Sequence, residues 1–291
     1  PNTSRPSIVV MELKWVDDFA AARNASYGIS NSDWILWLDA DDVIDPTHQP
    51  TKPLADTLAA LSPDIGCVWL LYLYAADLPM KIPRLVRRSA GPWRWRGAVH
   101  EELISDHPVA WTILDAPVIR HAPVQSETTR QTRNVEIMDR LFASPVHRTP
   151  WLLYHRARAY ESDGDVAKAV DMYLEALSKA TGADTHRRWP IAVAGALCAL
   201  RAKQLDPALR MTQDAIRARP DLPEAFYLAT IVHGARSEWK MAMRSYRLAE
   251  KLATDEERGE AHPIRLGRTD VMIERGRDLI RATVEEARKW I

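Results

Sequence analysis

The first half of the chain alternates between apolar runs of strand length and segments with helical spacing. A continuous apolar run at 34–38 is bounded by polar turns, which is typical of a strand buried on both faces. A helix is predicted over 17–27, because an aspartate starts it and a glycine follows its end. The other predicted elements are a helix near 57–61 and strands at 7–13, 66–74, near 85, near 95 and at 111–119. This order predicts a mixed α/β sheet with a partly antiparallel edge.

The second half is rich in alanine, arginine and leucine, and its small residues recur at a repeat-like interval. Ala169, Ala208 and Ala242 stand 39 and 34 residues apart. This spacing resembles tetratricopeptide repeats, whose period is about 34 residues; an ordinary helical bundle is the alternative. We therefore predict an α/β domain over 1–145 and an all-α repeat solenoid over 146–291, with one or two capping helices in 264–291.

Composition narrows the classes of partner and compartment. Lysine plus arginine and aspartate plus glutamate number 39 each, so a polyanion binder acting through bulk charge is excluded. Cys67 and Cys198 match no zinc, redox or disulfide spacing, which favours a reducing, cytoplasmic location. The longest apolar run, 65–76, is too short to span a bilayer, so no membrane partner is expected. The chain opens without a methionine, so an excised or processed fragment is expected.

Three carboxylates follow the apolar run at 34–38 directly: Asp39, Asp41 and Asp42. At the carboxyl edge of an α/β sheet, side chains leave the core and face a ligand crevice. Asp39 and Asp41 are two apart, so on an extended chain their side chains point the same way. Converging carboxylates repel each other unless a cation lies between them, and an all-oxygen donor set favours Mg²⁺ or Mn²⁺. A solvated acidic turn is the alternative.

Four motifs follow one another along the first half of the chain. The Arg23-Asn24 helix precedes a predicted buried strand that ends in an Asp-x-Asp motif, and Pro83-Arg84-Leu-Val-Arg87 comes later. The segment from Trp93 to Glu101 contains two tryptophans, a glycine and a His-Glu pair, and Ile119-Arg-His121 follows it. In this order the motifs resemble family-two glycosyltransferases of the GT-A fold, a Rossmann-like mixed sheet, and the tryptophan, glycine and His-Glu pattern resembles that of members with appended tetratricopeptide repeats. Only one predicted strand precedes the Arg-Asn helix, so the domain is expected to lack the family's first strands.

The resemblance implies roles for individual residues. Asp41 is expected to contact a Mn²⁺ or Mg²⁺ ion most directly, together with Asp39 and with His121 as the third ligand. Glu101 is expected to be the catalytic base, with Glu102 as the alternative. The residues expected to bind the donor are Arg23, Asn24, Asp39, Arg84, Trp93, Trp95 and His100. Trp93 and Trp95 alternate along a predicted strand and are therefore expected to share a face.

Two functional hypotheses follow. The first is a metal-dependent, inverting glycosyltransferase of the hexosyltransferase type that uses a nucleotide sugar, with a UDP-sugar favoured, and whose repeat domain helps to select the acceptor. The acceptor is left open between a peptide or protein, a glycan and a modified DNA base. The second is a non-catalytic scaffold or peptide-binding repeat protein with a degenerate transferase domain. A repeat array could also mediate a homodimer.

Overall fold

The computed structural model describes residues 8–75, 78–122, 126–258 and 269–290, which fall into two compact units. The first unit covers 1–130 and the second covers 131–291. The first is α/β and the second is helical, so the predicted fold class is confirmed. The division lies inside the helix Glu127–Leu141, which is earlier in the chain than the predicted boundary after residue 145.

The α/β unit is built on a five-stranded sheet and a two-stranded one. The strands in chain order are β1 Trp34–Leu36, β2 Asp42–Ile44, β3 Ile65–Ala75, β4 Leu78–Arg87, β5 Arg94–Arg96, β6 Glu102–Ile104 and β7 Ala110–His121. The large sheet has the order β1-β4-β3-β7-β2, and β5 pairs with β6. Only β3 and β7 are parallel; the other pairs, β1–β4, β3–β4, β2–β7 and β5–β6, are antiparallel. The prediction of a mixed sheet with antiparallel edges is confirmed.

The helices are α1 Phe19–Gly28, α2 Leu54–Ala59, α3 Glu127–Leu141, α4 Pro150–Ser162, α5 Val166–Lys179, α6 Arg188–Arg201, α7 Leu205–Ala218, α8 Pro223–Ala235, α9 Trp239–Arg258 and α10 Thr269–Arg288. The predicted helix over 17–27 is confirmed as α1, whose N-cap Asp18 accepts a hydrogen bond from the Ala21 amide. No helix of the described segments is long and apolar enough to cross a bilayer.

The strand predicted at 7–13 is wrong over its described part, 8–13, which makes no ladder. Ile8 and Val10 are 89% and 84% exposed there. An apolar pattern is a local signal, whereas a strand also needs a neighbour for its N–H and C=O groups. The run at 34–38 is likewise half-buried rather than buried on both faces, because β1 is an edge strand and pairs, within the described chain, only with β4.

One face of the large sheet forms the core of the α/β unit. Val68, Leu70 and Tyr72 alternate along β3 and pack with Leu85, and Leu58 of α2 covers them. This apolar layer fixes β3 and β4, the strands that carry Tyr72 and Arg84 of the candidate site.

A β-bulge in β4 redirects one arginine. Val68 pairs with Leu85 and Trp69 pairs with Pro83, so Arg84 is the extra residue between them. A bulge turns the side chain of its extra residue away from the regular alternation. Arg84 therefore leaves the sheet pattern and reaches the acidic loop that follows β1.

The helical unit consists of neighbouring helices that pack pairwise, α4 with α5, α6 with α7 and α8 with α9. The alanines that define the predicted repeat, Ala169, Ala208 and Ala242, are all fully or almost fully buried. Their burial confirms that small residues set the close approach of the helices. The predicted capping segment 264–291 contains α10, which packs on α8 and α9, while its residues 264–268 and 291 lie outside the described residues.

We expect Gly195→Ala to destabilise the helical unit, although alanine favours helices by about 1 kcal/mol over glycine. A Cβ atom at Gly195 would lie 2.4 Å from Met211 Sδ and 2.8 Å from Tyr173 Cβ. Overpacking of this kind costs about 1–3 kcal/mol in free energy of unfolding. Chemical denaturation followed by circular dichroism measures the loss. Gly28→Ala is the control, because no atom of the described residues lies within 4 Å of its new Cβ. Equal stability of the two variants would contradict the prediction.

Candidate active site

The acidic loop after β1 is a turn rather than an extended segment. The chain turns at Ala40 and Asp41, and the Asp42 amide donates to the Asp39 carbonyl oxygen at 3.0 Å. The expectation that Asp39 and Asp41 point the same way assumed an extended chain, and it is wrong for this reason. The structure instead directs the three carboxylates to three different sets of partners.

Asp42 is the residue of the loop whose side chain is fully buried. Its Oδ1 accepts a hydrogen bond from the Tyr72 hydroxyl at 2.9 Å. Its Oδ2 accepts one from the Asp39 amide at 2.9 Å and lies 2.9 Å from Arg84 Nη2. Burial raises the pKa of the Tyr72 hydroxyl, as does the hydrogen bond to Asp42, so the phenol stays a donor. Asp42 therefore fixes the turn from inside.

Asp41, Asp42 and His121 form a cluster that suits a divalent cation. Each offers a ligand atom, and these atoms lie within 4.8 Å of one another. The antiparallel pairing of β2 with β7 places Asp42 opposite His121, and the Ala122 amide donates to the Asp41 carbonyl oxygen at 2.7 Å. His121 Nδ1 lies 3.8 Å from Asp41 Oδ1 and 3.7 Å from Asp42 Oδ1.

The donor atoms of this cluster fit a Mg²⁺ or Mn²⁺ ion. His121 Nδ1 is buried and has no hydrogen-bond partner within the described part of the chain. Two carboxylates with an imidazole form a donor set that such ions accept. The cluster contains two of the three predicted ligands, Asp41 and His121, and it contains Asp42 where Asp39 was expected.

Asp39 faces arginines instead. Its Oδ1 lies 2.5 Å from Arg23 Nη2, and its Oδ2 lies 3.7 Å from Arg84 Nη1. The carboxylate is one-third exposed, so solvent reaches it from the site side. Its roles in metal and donor binding stay predictions.

Arg23 connects the acidic loop to the candidate base. Its Nε donates to Glu101 Oε1 at 2.5 Å while its Nη2 donates to Asp39. The guanidinium also lies over the rings of Trp37 and Trp95, 4.9 and 4.7 Å from their centroids. Burial alone would lower the pKa of Arg23, but Glu101 and Asp39 outweigh it and raise that pKa. Arg23 is a fixed cation between two carboxylates.

Glu101 is positioned by a tight turn between β5 and β6. Gly97 has a φ of 100° and His100 a φ of 52°, a left-handed conformation that costs a non-glycine residue about 1 kcal/mol or more. The Phe19 amide of α1 donates to the Ala98 carbonyl oxygen at 2.8 Å and anchors the turn. His100 lies half-buried in this turn and immediately precedes Glu101.

Arg84 is buried beneath the loop. Its guanidinium lies 3.7 Å from the Trp37 ring centroid and 4.6 Å from that of Tyr72. Burial lowers its pKa against the opposing effect of Asp42 and Asp39. With a side chain that is 2% exposed, Arg84 supports the loop, and this placement does not favour the predicted contact with donor phosphates.

Asn24 anchors β5 through two hydrogen bonds to its backbone. Its Nδ2 donates to the Trp95 carbonyl oxygen at 3.0 Å, and its Oδ1 accepts from the Trp95 amide at 2.7 Å. Trp95 is buried and meets Trp37 edge to face at 4.7 Å. The Trp95 side chain therefore presents no free surface to a sugar, whereas Asn24 is exposed and has its amide group bonded to the Trp95 backbone.

We expect Asn24→Ala to lower the free energy of unfolding of the α/β unit by about 1–3 kcal/mol, because the buried peptide groups of Trp95 lose both partners. Denaturation followed by tryptophan fluorescence measures this loss. Ser26→Ala on the same helix is the control. It removes one exposed hydrogen bond, to the Arg23 carbonyl oxygen, and should change stability by about 0.5 kcal/mol or less. If Asn24→Ala lowered the free energy of unfolding no more than Ser26→Ala does, the anchoring role of Asn24 would be contradicted.

Trp93 lies in a different environment from Trp95, so the expectation that they share a face is wrong. Its Nε1 donates to the Arg87 carbonyl oxygen at 2.9 Å. It lines an open pocket of about 240 Å³ with Trp69 and Trp111, beside Cys67. The strand β5 covers only 94–96, so the alternation assumed from the sequence does not extend to Trp93.

The site also contains Asp42, to which the sequence analysis gave no role, and four residues that it missed, namely Trp37, Tyr72, Tyr74 and Arg130. Tyr74 stacks on His121 with ring centroids 5.1 Å apart and planes 9° apart. Arg130 hydrogen-bonds the same imidazole at 2.6 Å. The alternation of Tyr72 and Tyr74 along the predicted strand 66–74 is a signal that could have placed them on one face, but it does not identify their partners.

Comparison with known proteins confirms the resemblance for one segment. Residues 2–75 match the family described as "Glycosyl transferase family 2". This segment contains α1, the acidic loop and β3, and it therefore includes Arg23, Asp39, Asp41 and Tyr72.

Two curated relatives match over longer stretches. The SPbeta prophage-derived glycosyltransferase SunS of Bacillus subtilis is 26% identical over 178 residues, which is 58% of this chain and 41% of that protein. A TPR repeat-containing protein of Synechococcus elongatus is 25% identical over 236 residues, 73% of this chain and 55% of that protein. The chain thus spans about two fifths to one half of the length of these relatives. Among solved structures, MamA from Desulfovibrio magneticus RS-1 has 19% identity, with a TM-score of 0.36 over 55% of this chain and 89% of MamA.

Proposed function

We propose that this chain, whose residues 2–75 match glycosyl transferase family 2, is a metal-dependent, inverting glycosyltransferase. The donor is a nucleotide sugar, with UDP as the carrier, and the ion is Mn²⁺ or Mg²⁺. The match to a protein named as a glycosyltransferase, at 26% identity, supports transferase chemistry for the α/β unit. Because the chain covers 41% of that relative, the activity of the whole protein is part of the proposal.

The observation that carries the proposal is the guanidinium of Arg23 between Glu101 and Asp39. One side chain thereby joins a candidate base to the loop that bears the candidate metal ligands. Asp39 is in turn held by Asp42 of the cation cluster, through its amide. A transferase needs a base on one side of the reacting sugar carbon and charge stabilisation on the other. The residues that we propose for these two roles are connected by this network, which supports the proposal.

The residues divide the chemistry between them. An ion held by Asp41 and His121, with Asp42 beside them, would stabilise the charge that develops on the departing diphosphate. Glu101 accepts the proton of the acceptor hydroxyl or thiol as that atom bonds to the anomeric carbon. The bond from that carbon to the phosphate oxygen breaks, and the nucleoside diphosphate leaves with the electron pair. Attack from the face opposite the leaving group inverts the anomeric centre.

Arg23 keeps Glu101 oriented for this step. A carboxylate held by a charge-assisted hydrogen bond at 2.5 Å samples few other positions. The rings of Trp37 and Trp95 cover part of the guanidinium and leave the Arg23 side chain 21% exposed. We therefore assign Arg23 a positioning role in addition to the donor contact expected from the sequence.

The helical unit is proposed to select the acceptor, which is a peptide or protein, a glycan or a modified DNA base, and it could also mediate a homodimer. Its helix pairs resemble tetratricopeptide repeats, and a relative that matches 73% of this chain is named for such repeats. The cytoplasmic location stays a prediction; both cysteines are buried and unbonded, as a reducing compartment would leave them.

The test is calorimetric titration of the chain with UDP, with and without Mn²⁺, followed by an assay of UDP release from a panel of UDP-sugars. Mn²⁺-dependent binding and slow hydrolysis without acceptor support the proposal. A folded protein that binds no nucleotide would contradict it and favour the scaffold. One observation favours the scaffold: Arg23 and Arg84 already have carboxylate partners, and the Arg84 side chain is only 2% exposed, so a donor phosphate would have to compete for them.

A further inference from the structure

We propose that Arg130 opposes occupancy of the cation cluster by fixing the tautomer of His121. This inference rests on the metal site of the proposed function and adds a residue that controls its affinity. Arg130 belongs to the first turn of α3, and its Nη1 lies 2.6 Å from His121 Nε2. The guanidinium is thus a built-in competitor of the ion, acting through the ring.

The chemistry of the two groups sets the direction of this hydrogen bond. Arginine stays protonated in proteins and has only N–H donors. His121 Nε2 must therefore accept, and a neutral imidazole that accepts at Nε2 carries its hydrogen on Nδ1. In this state the Nδ1–H group faces Asp41 and Asp42, whose nearest oxygens are 3.8 and 3.7 Å away.

An ion at the cluster requires the opposite tautomer. To coordinate a cation, Nδ1 must offer its lone pair, so the ring hydrogen has to move to Nε2. The Nε2–H group would then face an N–H group of Arg130 across 2.6 Å, and two donors repel at that distance. Ion binding and the Arg130 hydrogen bond therefore exclude each other.

The packing of the His121 ring hinders the rotation that would relieve this conflict between two donors. The His121 side chain is 7% exposed and is stacked on Tyr74, so the ring cannot easily rotate to exchange the positions of its two nitrogens. In most metal sites the distal nitrogen of a ligating histidine donates to a carboxylate or a carbonyl, which favours the ligating tautomer. Arg130 supplies a donor at that position, which is the reverse arrangement.

The first experiment is Mn²⁺ titration of the full chain without nucleotide, read from the electron paramagnetic resonance signal of free Mn²⁺. We expect Arg130→Met and Arg130→Glu to bind Mn²⁺ about tenfold or more tighter, the usual size of such second-partner effects. Arg130→Lys keeps a cationic donor and should bind as the wild type does. Arg133→Met removes an equal charge from the same helix and should also leave the affinity unchanged.

Unchanged or weaker Mn²⁺ binding in both Arg130→Met and Arg130→Glu would overturn the proposal. An equal gain in Arg133→Met would also overturn it, because the effect would then be one of net charge. A gain confined to the Arg130 variants supports it even where UDP does not bind, and in that case the transferase assignment fails alone.

The second experiment reads the tautomer directly by ¹⁵N nuclear magnetic resonance of histidine-labelled protein, with His121 assigned by the signal missing in His121→Gln. The metal-free wild type should show a protonated Nδ1 and an unprotonated Nε2. Saturating Mg²⁺ should reverse this pattern, and Arg130→Met should lose the preference before any ion is added. A metal-free wild type with its hydrogen on Nε2 would overturn the proposal.

Discussion

Asp41→Ala is expected to abolish the Mn²⁺-dependent part of UDP binding. The carboxylate is about a quarter exposed, and its partner among the described residues is His121 Nδ1, at 3.8 Å. It is therefore the carboxylate of the loop that is left to bind an ion, because Asp42 is held by Tyr72 and Arg84 while Asp39 is held by Arg23. Removing it leaves a single imidazole beside an engaged carboxylate, which is too few ligands for Mn²⁺.

Calorimetry of UDP with and without Mn²⁺ measures the effect, and the circular dichroism spectrum shows whether the variant is folded. Asp115→Ala is the matched control, since it removes an exposed aspartate from β7, the strand that carries His121. The control should keep its Mn²⁺ dependence. If Asp41→Ala kept the wild-type affinity with Mn²⁺, the metal assignment would be wrong.

Glu101→Gln is expected to slow sugar transfer by about 10²–10⁴-fold, the usual contribution of a general base. The amide oxygen of glutamine can still accept the hydrogen bond from Arg23 Nε, so the network around the site stays intact. UDP binding should therefore be unchanged while the rate of UDP release from the donor falls. Single-turnover assays with the best donor of the panel measure the rate without interference from product release.

Glu102→Gln is the matched control for the base, because Glu102 is the next residue and was the alternative candidate. It faces Arg96, with the nearest atoms 3.9 Å apart, and lies at the start of β6 rather than beside Arg23. Its variant should turn over at a rate close to that of the wild type. A slow Glu102→Gln beside a fast Glu101→Gln would transfer the role of base to Glu102.

Periodicity predicted the parts of the fold that local pattern determines. The strand predicted at 66–74 corresponds to β3, and the alanines at 169, 208 and 242 are buried in the helix pairs, as predicted. In both cases the type of each residue indicates whether that residue is buried, so the sequence alone is enough to predict the strand and the helix contacts. The segment 8–13 has an equally apolar pattern and forms no strand, because pairing depends on a neighbour that the pattern does not contain.

The sequence predicted which residues belong to the candidate site better than it predicted how they are arranged. Asp41, His121, Glu101 and Arg23 were named from motifs, and the structure brings Asp41 to His121 and Arg23 to Glu101. Which aspartate joins the cluster could not be predicted, because the turn at residues 40–41 is fixed from outside the loop. Tyr72 and Arg84 contact the Asp42 carboxylate and so fix the turn. Arg84 reaches Asp42 because of a bulge in β4, which no spacing in the sequence reveals.

The buried carboxylate of Asp42 has a consequence for the thermodynamics of ion capture. Its hydrogen bonds to a tyrosine and to the backbone, with an arginine beside it, give the loop its shape during folding, before any ligand arrives. A preorganised loop loses little conformational entropy on binding, so more of the intrinsic attraction between ion and oxygen appears as affinity. The same rigidity limits adaptation, since a loop of fixed width discriminates among cations by radius. The third aspartate thus links the folding of the sheet to the selectivity of the site.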